Sequence, residues 1–165
     1  MLVAGATRIL RPALDELRAR GNVVFGLARG AAALAEIDGV QPVVADLTDA
    51  SSIRATLRNL PRFDAALVYA PSAAVGVLPL LAAQTDGPLV ELFTSRWADP
   101  SDGRDGDPAR LPSVGVPLLL GWTSDGRATR WHTPAEISRA ALEVLASGRP
   151  AVLGSVRPWT GRPGS

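Results

Sequence analysis

The chain has 165 residues, 47% of them apolar and 20% charged, a globular composition with room for one core and no apolar run long enough to span a bilayer. A net charge of +1 with no Arg block carries no nucleic-acid footprint, and the lack of cysteine excludes disulfides, thiolate catalysis and cysteine-held metal. No residue is lysine, which excludes Schiff-base chemistry, a phosphate-loop lysine and any Tyr/Lys catalytic pair.

Leu2–Ala4 is a short apolar strand that runs into Gly5. Beyond it Ile9, Leu10, Ala13, Leu14 and Leu17 recur at helical spacing. Pro12 suits a first turn and Gly21 suits the position just past a helix end. The pattern then predicts a strand over 23–27, a short helix over 31–37 and a strand over 42–45 that ends at Asp46. Thr48 or Asp49 can cap the next helix, whose apolar face is Ile53, Leu57 and Leu60. A strand over 65–69, a helix over 73–83 and a strand over 89–93 follow. Residues 97–112 are rich in Asp, Gly, Pro and Arg, and are expected to form a long mobile loop and a candidate lid. Next come a strand over 116–122, a hairpin turn over 124–127 and a returning strand over 129–131. Thr133-Pro134-Ala135-Glu136 is a strong helix start, and Gly148 a strong stop. A last strand over 151–156 precedes a tail.

Strands alternating with helices imply one α/β domain: a Rossmann-like, doubly wound, mostly parallel sheet of about seven strands over residues 1–157, with an antiparallel addition near Thr129 and a tail over 158–165. Ligands of such sheets sit beyond the carboxyl ends of the strands. Residues 5–8, 28–30, 46–47 and 70–72 are therefore expected to meet in one crevice. A strand, a glycine and a helix in succession also present bare N–H groups to a diphosphate.

Val3-Ala4-Gly5-Ala6-Thr7 followed by Ile9-Leu10 resembles the nucleotide-binding turn of the short-chain dehydrogenase/reductase superfamily. Arg130-Trp131-His132-Thr133-Pro134-Ala135-Glu136-Ile137 and Pro158-Trp159 resemble the closing stretches of its small, atypical bacterial members. The likeness spans nearly the whole chain. It implies a Rossmann fold, an NAD(P) coenzyme and hydride transfer. Arg8 departs from it, standing where the motif carries glycine. The superfamily's Tyr-x-x-x-Lys pair is also missing: the fourth residue after Tyr69 is Ala73.

The candidate residues keep open alternatives. Gly5 either lets a phosphate approach the backbone or simply makes a tight turn, with Thr7 and Ile9 in the same turn. Arg8 clamps a coenzyme phosphate, fills the diphosphate's space or faces solvent. Arg29 ends the second strand where an NAD-selective site would carry a carboxylate. It suits a 2′-phosphate and favours NADP(H) over NAD(H), or is a loop arginine. Asp46 and Leu47 resemble the superfamily's pair near the adenine, or serve the following helix cap. Tyr69 touches substrate or nicotinamide, or is core. Ala70 and Pro71 line the crevice beside it, and Ser72 polarises a carbonyl or caps a helix. His132, the one side chain that titrates near neutrality unperturbed, is a general acid or a surface residue. Asp99, Asp102, Asp105 and Asp107 lack calcium-loop spacing, and no metal site is expected. The four tryptophans line a pocket or pack the core.

The expectation is an NADP(H)-dependent oxidoreductase of atypical short-chain type, acting on the C=O, C=N or C=C bond of a small organic substrate without a Tyr/Lys pair. Protonation would come from water, Tyr69, His132 or the substrate. The alternative is a coenzyme site blocked by Arg8, reused by a cyclase or isomerase, a non-catalytic partner or a sensor. A cytoplasmic bacterial protein that forms a homodimer or homotetramer, with neither nucleic acid nor membrane as partner, is expected.

Overall fold

The structure is a computed structural model that describes residues 1–124 and 128–164. Seven parallel strands form one sheet: β1 (Leu2–Ala4), β2 (Phe25–Ala28), β3 (Gln41–Val44), β4 (Ala66–Val68), β5 (Leu89–Phe93), β6 (Val116–Leu120) and, at the far edge, β9 (Ala151–Leu153). Their order is β3-β2-β1-β4-β5-β6-β9, the 3-2-1-4-5-6 winding of dinucleotide-binding sheets with one strand added. β7 (Trp122–Ser124) and β8 (Thr129–Trp131) pair antiparallel as a separate ribbon. The antiparallel pair expected near Thr129 is thus not an addition to the main sheet. Of the expected hairpin turn, Asp125-Gly126-Arg127 lies outside the described residues.

Strand side chains alternate between the two faces, as the strand period requires. Val3 joins the apolar layer under α1 (Arg11–Ala19) and α5 (Pro134–Ser147), which also holds Leu34 of α2 (Ala31–Ala35). Leu2 and Ala4 join the layer under α3 (Ala50–Leu57) and α4 (Val77–Ala83), filled by Ile53, Leu57, Val77 and Leu81. The sheet is therefore wound on both sides, and its strands are apolar on both faces.

Several expected boundaries move. Residues 5–10 are turns, and α1 begins only at Arg11. The apolar run over 116–122 is not one strand. It breaks at Gly121, where a side chain would strike the carbonyl oxygen of Ser155 at 2.2 Å. The last strand stops at Leu153 because Gly154 turns the chain with a φ of +76°.

Residues 97–112 are not a bare loop. Three 3₁₀ turns, Ser95–Ala98, Pro100–Asp102 and Pro108–Arg110, carry the chain from β5 to β6. Asp99 and Asp107 cap the last two by accepting from Ser101 N and Ala109 N. Ala98 is buried with Phe93, Leu119, Trp122 and Val156, and Trp97, Trp159 and Leu111 pack on this cluster. Arg157 fastens the segment from behind, donating to the carbonyls of Ala98 at 2.7 Å and Arg104 at 2.8 Å. The segment covers the β5–β6 side of the sheet and is no lid over the crevice.

Glu91 on β5 is 6% exposed. It accepts from Ser113 Oγ at 2.9 Å and Val114 N at 3.3 Å, which ties the approach to β6 onto β5. Burial pushes its carboxyl pKa up, opposed by these two hydrogen bonds. A folded-state pKa above the unfolded one means that the ionised form opposes folding above the folded pKa, and that this penalty vanishes below the unfolded pKa. Glu91→Gln keeps an acceptor and carries no charge. It should raise the melting temperature by a few degrees at pH 8 and give no gain below the usual carboxylate range. Melting curves at the two pH values check this; an equal gain at both would show that charge burial is not the cause.

Candidate functional site

The carboxyl ends of β1, β2, β3 and β4 meet at a crevice of about 390 Å³. Gly5, Thr7, Ala28, Arg29, Gly30, Asp46, Leu47, Tyr69, Ala70, Pro71 and Ser72 all line it. Four stretches far apart in sequence thus converge as the winding requires. Arg8 is exposed and does not line the crevice. Ile9 lies on its far side, in a second cavity.

Gly5 is set by the chain itself. Its φ is +86°, and a side chain there would lie 2.8 Å from the carbonyl oxygen of Tyr69. After it, none of the backbone N–H groups of residues 6–10 donates to another protein group among the described residues. Unused donors ahead of a nine-residue helix can hold an anion, and of these residues Thr7 lines the crevice. Ala6 is buried, and a side chain on Gly26 of β2 would meet its Cβ at 3.4 Å and the Leu14 side chain at 3.4 Å. The smallness that lets the turn and α1 sit close to the sheet therefore resides on β2.

Asp46 folds back at the end of β3: its Oδ1 accepts from Thr48 N at 2.9 Å and Thr48 Oγ1 at 2.8 Å. These bonds, and then the nearby charge of Arg29, hold its carboxyl pKa below the usual range. Asp49, next along, caps α3 by accepting from Ser51 N at 2.8 Å. The cap is thus made without Asp46. The 70–76 segment is tied down by the bond from Ala74 N to Leu47 O at 2.9 Å. Ser72 is exposed and makes no cap, since α4 begins at Val77 behind Gly76.

Tyr69 is half-buried and lines both the crevice and the second cavity, of about 300 Å³. The second cavity is walled by Ile9, Thr94, Ser95, Leu120, Gly121, Trp131, His132 and Ile137. Burial pushes the Tyr69 phenol up, so it stays protonated at neutral pH. With no lysine in the chain, no ammonium is at hand to oppose that shift.

His132 is not at the surface. Its side chain is 7% exposed, and both ring nitrogens are buried without a hydrogen-bond partner among the described residues. Nδ1 lies 3.7 Å from Glu136 Oε2, too far for a hydrogen bond. Glu136 is already engaged, by Arg130 at 2.8 Å through both oxygens and by Thr133 N at 2.8 Å in the capping box of α5. The Arg130 guanidinium holds its carboxyl far below the usual range. Thr94 and Ser95 were not singled out by sequence. They directly follow β5, so the rule that selected the ends of the other strands selects them too. Among the described residues, no group of three His, Asp or Glu side chains is placed to hold a metal ion. No helix among them is long and apolar enough to cross a membrane.

At the level of sequence, no protein-family model and no curated protein matches the chain. Solved structures do. A protein described as a putative β-ketoacyl-ACP reductase superposes with a TM-score of 0.67 at 19% identity, over 93% of this chain and 95% of its own. A short-chain dehydrogenase from Burkholderia cenocepacia in complex with NADP gives 0.67 at 16% identity, over 93% and 87%. The fold is that of the short-chain dehydrogenases/reductases. ChuY, an anaerobilin reductase from Escherichia coli, shares it with a TM-score of 0.63 at 15% identity, over 95% of this chain and 96% of its own. At such identities the short-chain dehydrogenase/reductase likeness fixes the architecture, and the site must speak for itself.

Proposed function

We propose that this protein is an NADP(H)-dependent oxidoreductase of atypical short-chain type. The observation that carries the reading is the crevice, where Gly5, Thr7 with its unused backbone N–H, Arg29, Asp46 and residues 70–72 surround one space. The donor set fits a dinucleotide. The turn suits a diphosphate, the guanidinium of Arg29 suits a 2′-phosphate, and the half-exposed Asp46 with Leu47 suits the adenine end. Arg8 supports this reading by its position, exposed and off the lining.

Bound there, the coenzyme supplies a hydride or accepts one. The chain's own residues do the remaining work. Tyr69, at the junction of the two spaces, holds its proton and donates a hydrogen bond toward the second cavity, where the substrate's C=O, C=N or C=C bond is placed. His132 is sealed as it stands, so a role as general acid requires its ring to turn. Water, Tyr69 and the substrate are the proton sources that need no rearrangement.

Fluorescence titration with NADPH and with NADH tests the proposal. Saturable binding with preference for NADPH is expected, and absence of binding to either at millimolar concentration would end it. Arg8→Gly is expected to leave the NADPH dissociation constant within about threefold, as exposed substitutions usually do. A tenfold gain would instead mark Arg8 as an obstruction, the state in which a non-redox role is the better account.

A further inference from the structure

The second cavity has a character of its own. Ile9, Leu120 and Ile137 give it aliphatic walls, Gly121 an open backbone and Trp131 a broad aromatic edge. No Arg, Asp or Glu is among the lining side chains of the described residues. Apart from His132, whose two ring nitrogens are buried, the polar side chains on its wall carry hydroxyls. Those of Tyr69, Thr94 and Ser95 all belong to the wall, and none makes a hydrogen bond to another protein group among the described residues. An unpartnered hydroxyl on an apolar wall asks for a ligand acceptor.

Trp131 is the second observation. It is 46% exposed, an unusual state for an indole, and it belongs to the cavity wall. Its ring is held edge-on to Trp122, with centroids 6.3 Å apart and planes at 88°. Trp122 is itself 2% exposed and packs edge-on to Trp159 at 6.0 Å. The lip of the cavity is thus an aromatic surface, open to solvent and fixed from behind. Such a surface favours a flat ring. A carboxylate or phosphate entering the same space would lose its water and find no arginine on the wall, and the His132 ring nitrogens are buried away from it as the ring stands.

Resting on the oxidoreductase reading, we infer that the second cavity is the substrate site and selects an uncharged, flat ring compound that carries a hydrogen-bond acceptor, lying against Trp131 with its acceptor toward the hydroxyls of Tyr69, Thr94 and Ser95. This narrows the substrate to neutral cyclic or aryl carbonyl and imine compounds, and excludes acidic ones of the same shape.

The probe pair is acetophenone and 4-acetylbenzoate, which share a skeleton and differ by one charge. Saturation-transfer NMR measures each with the full-length protein, alone and with NADPH. Acetophenone should bind saturably. 4-Acetylbenzoate should bind weaker by about a hundredfold or more, the cost of burying an unpaired carboxylate. Trp131→Ala should weaken acetophenone about tenfold, while Trp131→Phe stays within about threefold. Trp131 is half-exposed, and circular dichroism verifies that both variants are folded. Equal binding of the two probes, an unchanged affinity in Trp131→Ala, or NADPH binding with no acetophenone binding would overturn the assignment. Acetophenone binding with this selectivity in a protein that takes up no nicotinamide coenzyme would uphold the cavity assignment and end the oxidoreductase reading.

Discussion

Trp122→Ala is expected to cost about 3–5 kcal/mol, in line with the loss of a large aromatic side chain from a packed interior. Trp122 is one of the largest fully enclosed side chains in the molecule. It joins three parts of the chain that are not neighbours in sequence: Phe93 at the end of β5 with Ala98 beyond it, Leu119 of β6, and Val156 with Trp159 near residue 160. The face of β5 and β6 that holds Phe93 and Leu119 is covered by 3₁₀ turns, while α5 covers the opposite face, so few residues are available to close around the space left behind. At this chain length the loss corresponds to a fall in melting temperature of roughly 10 °C. Chemical and thermal denaturation measure it, and a loss under about 1 kcal/mol would show that the cluster is not the fastening argued here. The same variant removes the support behind Trp131, so near-ultraviolet circular dichroism should lose the signal of a fixed indole beyond the contribution of Trp122 itself.

Arg29→Ala is expected to raise the dissociation constant for NADPH by about 10- to 100-fold and to leave that for NADH nearly unchanged. The difference is the charge-assisted contact to a 2′-phosphate, worth roughly 1.5–3 kcal/mol. Arg29 sits at the end of β2, beside Asp46 and exposed, and the strand end carries no carboxylate that would hold a ribose hydroxyl instead. Its removal leaves the core untouched, so stability should stay within about 0.5 kcal/mol. Parallel loss of both coenzymes would mean that Arg29 shapes the crevice as a whole rather than reading the phosphate.

What was legible in the sequence was mostly local. The start of α5 is written in Thr133, Pro134 and Glu136, and the structure forms the capping box and ends the helix at Gly148. β5 occupies the residues that its apolar run predicts. The convergence of four strand ends followed from topology alone, because parallel strands with right-handed crossovers put all their carboxyl ends on one side. What was not legible depends on distant partners. The run over 116–122 reads as one strand because nothing nearby reveals that Ser155 O passes against Gly121. His132 precedes a helix, a setting that suggests the surface. It is buried because the β7–β8 ribbon folds it onto Gly154. Ile9 and Leu10 keep helical spacing although they lie in turns, since the same core receives them either way.

The crowding of Gly5 against Tyr69 O bears on how kindred sequences are compared. A relative that had abandoned every nucleotide contact would still retain glycine at this corner, since its own main chain forbids anything larger. Retention of that glycine therefore tracks the architecture and not the ligand. Positions 7 and 29, which line the crevice and carry no such internal obligation, are where a lineage would record whether it kept the coenzyme.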